Sequence, residues 1–241
     1  MTIGIVGGTG DIGEGMAMRL SPLFDVIVGS REKEKAEATC VSGIDTLKKR
    51  GQPCSLKGVS NQTAVDDADI IILAIPFRHL IDTLSTLDGF EGKMVISPVN
   101  PMEKREFFTF VPPEEGSAAL LIKKLLPPTA RICTAFNTIA ANRWKSLDED
   151  LSYSVPVCGD DDGAKQQVMG IVNRISKLHA FDAGPLAAKS GRVLNTPPPQ
   201  YCTVQQDEGC RDPVPLRLTT SSVRLPAALA RSRGGRDTLM K

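Results

Sequence analysis

The sequence lacks the features that mark several classes of protein. Its 29 basic and 28 acidic residues leave a net charge of +1, which gives no indication of a nucleic-acid partner. Hydrophobic residues make up 41% of the chain, enough for a folded core, but no apolar run approaches the roughly 20 residues that cross a bilayer. The N-terminus has the pattern of a strand rather than of a secretion signal. We therefore expect a globular cytoplasmic protein with no membrane or nucleic-acid partner.

Residues that commonly carry acid–base, nucleophilic or metal chemistry are also scarce. The six cysteines lack CxxC spacing, so neither a zinc site nor a disulfide framework is indicated. The two histidines, His79 and His179, belong to no Ser/His/Asp, Cys/His or paired-carboxylate arrangement. The acidic turn at residues 160–162 could hold a metal, but an Asp-rich first turn of a helix fits it better, because the helix dipole favours negative charge there. We predict no metal and no catalytic side chain.

The missing proton donor is itself informative about the reaction. Reduction of a ketone by hydride creates an alkoxide, which needs a proton. Hydride transfer between two ring systems depends mainly on stacking the rings at reacting distance and excluding water. The scarcity of acid–base residues therefore favours transfer between two heterocycles.

Apolar runs alternate with helical patterns along the first 140 residues. Strands are predicted at residues 3–6, 25–29, 69–74, 93–97 and 130–136, and helices near 77–87 and 117–126. This alternation is typical of an α/β fold with a doubly wound parallel sheet of the Rossmann type. After Trp144 the predicted elements form a smaller unit. It holds a strand at 155–158, an acidic turn, a helix to about Leu178 and the stretch 181–186. This pattern predicts a second, smaller C-terminal domain.

A glycine-rich turn follows the first predicted strand and opens a helix. It reads Gly8, Thr9, Gly10, Asp11, Ile12 and Gly13. In such a motif Gly8 permits the tight turn, Gly10 lets backbone amides approach a pyrophosphate, and Gly13 lets the helix pack closely on the strand. The phosphates of a dinucleotide then lie at the helix N-terminus. The alternative is a structural glycine turn.

The end of the second predicted strand indicates which dinucleotide is bound. NAD sites usually place a carboxylate there, whereas this chain has Ser30 and Arg31, with Lys35 one helical turn later. A hydroxyl, a planar guanidinium and an ammonium suit the 2'-phosphate of NADP. The alternative is a solvated charged helix start, because residues 32–34 are also charged.

Three other strand ends are expected at the same edge of the sheet. Ligands of doubly wound sheets bind beyond the carboxyl ends of the strands. Residues 74–76, 97–100 and 137–139 should therefore converge on the nicotinamide, and their side chains are mostly apolar or amide-bearing.

Several blocks of sequence resemble those of the NADPH-dependent reductases of the 8-hydroxy-5-deazaflavin coenzyme F420, which occur in archaea and actinobacteria. These blocks are residues 7–10, 28–31, 34–37, 75–76, 96–98, 155–162 and 182–186. The resemblance implies an NADPH:coenzyme F420 oxidoreductase. In such an enzyme hydride moves between nicotinamide C4 and deazaflavin C5, no covalent intermediate forms on the protein, and a homodimer is expected.

The same resemblance implies roles for individual residues. Thr9, Gly10, Asp11, Ile12, Ser30, Arg31 and Lys35 would hold NADP. Ile75, Asn100 and Ala141 would line its nicotinamide half, next to Ala74. Asn137 and Ile139 would lie near the deazaflavin ring. The alternatives are an NADP-dependent imine or ferric reductase of similar architecture and a non-catalytic NADP-binding redox sensor.

The resemblance ends after Ala188, where prolines and arginines follow without useful periodicity. One choice of codons for residues 192–203, read one nucleotide later, gives Glu-Ser-Leu-Thr-Pro-Leu-Leu-Leu-Asn-Ile-Ala, the kind of ending that the family shows. We predict three parts: an NADP-binding domain (1–146), a small domain truncated relative to the family (147–188) and a frameshifted tail (189–241). A divergent or disordered tail is the alternative.

Overall fold

The structure, a computed structural model, describes residues 1–104 and 108–189, all of which belong to one compact unit. The strands are β1 Thr2–Val6, β2 Asp25–Ser30, β3 Leu56–Ser60, β4 Ile70–Leu73, β5 Met94–Ser97, β6 Met102–Lys104, β7 Phe108–Phe110, β8 Arg131–Thr134, β9 Tyr153–Gly159 and β10 Leu178–Gly184. The α-helices are α1 Asp11–Leu20, α2 Lys33–Lys49, α3 Asn61–Asp67, α4 Leu80–Leu84, α5 Ala118–Leu125, α6 Ala141–Lys145 and α7 Asp162–Arg174. Short 3-10 helices cover Phe77–His79 and Leu186–Lys189.

Eight of these strands form one sheet in the order β3-β2-β1-β4-β5-β8-β9-β10. The first six run parallel, and the connections from strand to strand pass through helices. This order and direction, with helices flanking the sheet, confirm the Rossmann-type fold.

The segment predicted as a small domain continues this sheet. β9 pairs antiparallel with β8, with Thr134 opposite Cys158, and β10 then pairs parallel with β9. The sequence-based boundary near residue 147 therefore coincides with a reversal of strand direction within one sheet. The division into two domains stays a prediction.

The central strands are apolar along their whole length because both faces of the sheet are covered. All four residues of β4 are buried: Ile70 and Ile72 join the core on one face, and Ile71 and Leu73 join the core on the other. Alternate residues of a strand point to opposite faces, so a strand covered on both sides needs a continuous apolar run. These central strands could be predicted because each one is a continuous apolar run in the sequence.

Several elements were not predicted, and the patterns of β3, α3 and the hairpin β6-β7 show why. β3 is an edge strand whose five residues include Lys57 and Gly58, so it lacks an apolar run. α3 begins directly after it with Ser60 as N-cap. The hairpin β6-β7 leaves the carboxyl end of β5 and pairs only with itself. The helix expected to reach Leu178 ends at Arg174, and the stretch at 181–186 belongs largely to β10.

Within the described ranges, none of the helices combines the length and the apolar character that crossing a membrane would require.

Candidate functional site

The turn between β1 and α1 has the geometry of a phosphate-binding loop. Gly7 has a backbone φ of +73°, a conformation that side chains rarely adopt, and a Cβ there would lie 2.9 Å from the Ala74 carbonyl oxygen. The Gly8 amide donates to the Gly29 carbonyl at 2.8 Å, which ties the loop to the end of β2. The tight turn therefore depends on Gly7, and the expectation that Gly8 provides it is wrong. Gly8 lacks a side chain for a different reason: its Cβ would meet Val28 at 2.9 Å.

The other two glycines of the motif differ in how much space surrounds them. A Cβ at Gly13 would lie 2.6 Å from the Gly8 Cα, so α1 packs closely on the loop that follows β1, whereas the sequence predicted close packing on the strand itself. A Cβ at Gly10 would meet nothing closer than the Gly7 carbonyl oxygen at 3.5 Å. The absence of a side chain at Gly10 is therefore not required by the protein's own packing, which leaves space beside the helix N-terminus for a phosphate.

An unpredicted residue, Asn61, supports the loop from α3. The side chain of Asn61 is buried, and its Oδ1 accepts a hydrogen bond of 3.1 Å from the Gly7 amide. No pattern around Asn61 indicates this role, because it lies 54 residues away in the sequence and starts a short helix that was itself missed.

The residues predicted to select NADP lie together at the end of β2. Ser30 is buried; its Oγ accepts from the Thr9 hydroxyl at 3.5 Å and from the Glu32 amide at 3.2 Å. Arg31 and Lys35 follow it with exposed side chains. Neither cation forms an ion pair with a carboxylate of the described residues, whereas the neighbouring Lys33 pairs with Glu37 at 3.4 Å. Two uncompensated cations beside the glycine loop suit a phosphate dianion.

Charge at the start of α1 is arranged differently. Asp11 and Glu14 both bind the ammonium group of Lys145 of α6, at 2.8 Å and 2.9 Å. These contacts lower the pKa of Asp11 and raise that of Lys145. Lys145 therefore offsets the negative charge of two carboxylates next to the proposed phosphate position, a role that the sequence did not predict.

The carboxyl ends of β4, β5 and β8 adjoin one another in the sheet. Ala74 and Ile75 are buried after β4, and the Ala74 amide donates to the Val6 carbonyl at 2.9 Å. Asn100 of the β5 loop donates from Nδ2 to the Asn137 carbonyl at 2.9 Å, and Asn137 Nδ2 donates to the Val99 carbonyl at 3.3 Å. Two of the predicted site residues are thus bonded to each other.

The turn after β8 holds unusual backbone and unpaired polar atoms. Phe136 is a buried non-glycine residue with φ of +68°, a left-handed conformation that costs roughly 1–3 kcal/mol. Directly after it, Asn137 Oδ1 and the Thr138 hydroxyl are buried without a partner in the described structure. Buried polar atoms nearly always have partners, so these two are candidates for ligand contacts. Ile139 is also buried.

The structure places the remaining predicted residues on the same edge of the sheet or at helix starts. Asp11 and Ile12 form the first turn of α1, and Ala141 begins α6. The assignment of individual residues to NADP or to a deazaflavin stays a prediction.

The acidic turn has a structural role. Asp161 is the N-cap of α7 and accepts from the Ala164 amide at 2.6 Å, which confirms the Asp-rich helix start. Asp160 pairs with Lys123 at 2.7 Å. Across residues 1–104 and 108–189, no three His, Cys, Asp or Glu side chains cluster in a way that could hold a metal ion.

Known proteins resemble this chain in sequence and in fold. Residues 2–101 match the family model described as NADP oxidoreductase coenzyme F420-dependent. The chain is 33% identical over 192 residues to the F420-dependent NADP reductase of Methanocaldococcus jannaschii, covering 77% of this chain and 85% of the relative. It is 27% identical over 200 residues to that of Methanothermobacter marburgensis, covering 80% and 88%.

Among solved structures, a protein of Arthrobacter sp. FB24, provisionally assigned as an F420-dependent NADP reductase, matches with a TM-score of 0.63. Its sequence identity is 22%, and the match covers 77% of this chain and 85% of that chain. This likeness shows the same fold.

Proposed function

The chain belongs to the family of F420-dependent NADP reductases, and we propose that it transfers a hydride between NADP(H) and coenzyme F420, with the two cofactors meeting at the carboxyl edge of its sheet. The observation that carries this placement is the loop at residues 7–13, which has space beside Gly10 and is bonded through Thr9 to Ser30, directly before the exposed cation Arg31. When bound, NADPH supplies a hydride from nicotinamide C4, and F420 accepts it at C5.

The described residues fit these cofactors. The amides at the start of α1 would bind the diphosphate, with Thr9, Gly10, Asp11 and Ile12 around it. Ser30, Arg31 and Lys35 would hold the 2'-phosphate. Gly8 takes part through its backbone, which fixes the loop to β2.

Apolar and amide-bearing residues at the carboxyl edge of the sheet would hold the nicotinamide and deazaflavin rings. Ala74, Ile75, Asn100 and Ala141 would line the nicotinamide, and Asn137 and Ile139 the deazaflavin. The unpaired Asn137 Oδ1 supports this arrangement, because it can accept a hydrogen bond from a ring N–H or a carboxamide. Neither Asn137 nor Ile139 titrates, which agrees with a reaction that needs stacking and water exclusion rather than a protein acid.

A direct assay tests the activity. Purified protein is mixed with NADPH and F420, and we expect the deazaflavin absorbance to fall as NADPH is consumed. An imine or a ferric complex in place of F420 is expected to give no comparable turnover. NADPH binding without turnover of any acceptor would instead support a redox sensor.

We also propose a homodimer in the cytoplasm. β10 ends the sheet among the described residues, and its Phe181 side chain is 39% exposed, which supports pairing with a second copy. The described cysteines Cys40, Cys54 and Cys133 are free thiols, which supports a reducing compartment. Analytical ultracentrifugation tests the dimer, and cell fractionation tests the location.

The predicted tail lies outside the described residues except for its first residue, Lys189. We propose, from the sequence, that residues 189–241 result from a frameshift. The relatives match 77–80% of this chain but 84–88% of their own lengths, which supports a segment of this chain without counterpart. Sequencing the gene across codons 186–192 tests this, and a clean frame with no alternative Glu-Ser-Leu-Thr-Pro reading would contradict it.

A further inference from the structure

Arg19, in the last turn of α1, binds the end of another helix. Its Nε donates to the Trp144 carbonyl at 2.9 Å, and its Nη2 donates to the Ser146 carbonyl at 2.6 Å. Nη2 also lies within hydrogen-bond distance of the carbonyls of Arg143, at 3.2 Å, and Glu149, at 3.0 Å. The last carbonyls of a helix lack partners inside it, so Arg19 caps α6 from outside.

Close packing at Trp144 joins α6 to α1 in a fixed position. Trp144 is fully buried, and a Cβ at Gly15 would lie 2.6 Å from the Trp144 Cβ. α6 therefore lies as near to α1 as a glycine permits. Because Arg19 caps α6, Trp144 has little freedom to move.

Trp144 in turn supports the turn that presents the unpaired polar atoms. Its ring meets the Phe136 ring edge-on, with centroids 5.4 Å apart and planes at 76°. Phe136 has the left-handed backbone described above, and such a conformation persists only where surrounding packing imposes it. Asn137 and Ile139, proposed near the deazaflavin, follow directly.

We propose that Arg19 is a positioning residue for hydride transfer: by holding Trp144 against Phe136 it fixes the turn that carries Asn137 and Ile139. The inference rests on the proposed function of the site. The phosphates of NADPH depend on the glycine loop and the end of β2, and Ala141 lies at the start of α6 whereas Arg19 binds its other end, so loss of Arg19 should alter the second ring's position more than NADPH binding.

The variant Arg19→Gln tests this. We expect kcat for F420 reduction to fall by about tenfold to a hundredfold, because a displacement on the order of 1 Å has that effect on a transfer reaction. The Kd of NADPH should change by less than about threefold, because the hydrogen bonds of Arg19 lie at the opposite end of α1 from the glycine loop. The kinetic isotope effect with NADPH deuterated at the transferred position should rise, because hydride transfer becomes slower relative to the other steps.

Fluorescence supplies a readout that does not depend on turnover. Trp144 is the single tryptophan of the chain, so fluorescence excited at a wavelength that tyrosine hardly absorbs reports on Trp144 alone. We expect the emission maximum to shift to longer wavelength in Arg19→Gln, because Trp144 becomes more exposed to water when Arg19 no longer binds α6. Arg19→Lys keeps a cation that can reach one carbonyl, and should restore part of kcat and of the emission.

Arg174→Gln is the matched control. Arg174 donates to the Leu23 carbonyl at 2.9 Å and stacks on Phe24 at 4.2 Å, so its loss costs similar contacts away from Trp144. It should lower Tm but leave kcat, the isotope effect and the emission unchanged. If Arg19→Gln also lowers only Tm, the proposal is overturned. If Arg19→Gln fails to fold, Arg19→Lys decides by the same measurements.

Failure of the proposed function can be told apart from failure of this inference. Wild-type protein that binds NADPH but does not reduce F420 would contradict the function. An emission spectrum of Arg19→Gln equal to that of the wild type would overturn the positioning role in either case.

Discussion

Asn100 and Asn137 bridge the loops that follow β5 and β8. Asn100 Nδ2 donates to the Asn137 carbonyl, and Asn137 Nδ2 donates to the neighbouring Val99 carbonyl, so both amide groups are fixed in orientation. Asn137 Oδ1 is then held in place, buried and without a partner. The Asn137 side chain therefore has two separable roles. Its nitrogen joins the loops after β5 and β8, and its oxygen is available to a ligand.

Substitution of Asn137 should separate these roles. Asn137→Asp keeps acceptor oxygens but loses the donor to Val99, whereas Asn137→Leu loses both. We expect Asn137→Leu to lower kcat/KM for F420 by about tenfold, the value of one hydrogen bond of about 1.4 kcal/mol. Steady-state kinetics with varied F420 measures this. Asn173→Leu, which loses a bond of 2.8 Å to the Ala180 amide, is the control and should lower Tm alone.

The cations at the end of β2 predict cofactor preference. In Arg31→Ala/Lys35→Ala, NADPH binding should weaken by about 2–4 kcal/mol while NADH binding stays nearly unchanged, because only NADPH carries the 2'-phosphate. Calorimetric titration with both nucleotides measures the difference. Lys33→Ala is the matched control, because Lys33 shares the helix start but pairs with Glu37. Equal losses for NADPH and NADH would contradict the assignment.

Two glycines of the loop should respond differently to the same added methyl group. In Gly13→Ala the Cβ meets backbone at 2.6 Å, so we expect a loss of about 1–3 kcal/mol in the free energy of unfolding. In Gly10→Ala the nearest atom is 3.5 Å away, so stability should change by less than about 1 kcal/mol. NADPH affinity should nevertheless fall in Gly10→Ala. Urea unfolding and NADPH titration of both variants check this, and unchanged affinity in Gly10→Ala would place the phosphates elsewhere.

The sequence predicts the residues at the carboxyl edge of the sheet better than it predicts the residues that hold them in place. Apolar strands followed by Gly10, Ser30 and Arg31 are local patterns, and the structure puts them where the patterns require. The roles of Arg19 and Asn61 are not local: Arg19 and Trp144 are 125 residues apart, and Asn61 and Gly7 are 54 apart. Contacts of this kind depend on which elements pack together, which residue patterns do not specify.

The error at Gly8 has the same origin. The spacing of a glycine motif indicates where small residues are needed, but not the reason at each position. Gly7 has the positive φ, while Gly8 is excluded from bearing a side chain by Val28 of the neighbouring strand. Only the pairing of β1 with β2 distinguishes these two reasons.

The described cysteines should differ in reactivity. Burial raises the pKa of the Cys133 thiol to about 12 and that of Cys40 to about 11, so at pH 8 both are thiols rather than reactive thiolates. Cys54 is partly exposed. We expect iodoacetamide to label Cys54 in the native protein and to label Cys40 and Cys133 only after unfolding. Peptide mass spectrometry measures each site, and early labelling of Cys133 would contradict its burial.

A buried lysine should make stability depend on pH at both extremes. The ammonium group of Lys165, whose side chain is 8% exposed, binds Asp182 at 2.8 Å and Asp162 at 2.9 Å. The Lys165 ammonium lowers the pKa of Asp182, and the two carboxylates raise the pKa of Lys165, Asp182 first. The carboxylate therefore stabilises the fold above its unfolded pKa of about 3.9 and loses this effect as pH falls towards its lower folded value.

Asp182→Asn should accordingly lower Tm at pH 7, and its difference from the wild type should shrink as the pH falls below about 3.9. The contribution of Lys165 is complete below its unfolded pKa of about 10.4 and is lost as pH rises through its higher folded pKa, so Lys165→Met should approach the wild type only in strong alkali. Asp148→Asn is the control, because Asp148 pairs with Arg50 while 88% exposed, where an ion pair contributes little. Differential scanning calorimetry from pH 3 to pH 11 would measure all three, and a difference for Asp182→Asn that does not vary with pH would show that its carboxylate is not stabilised by Lys165.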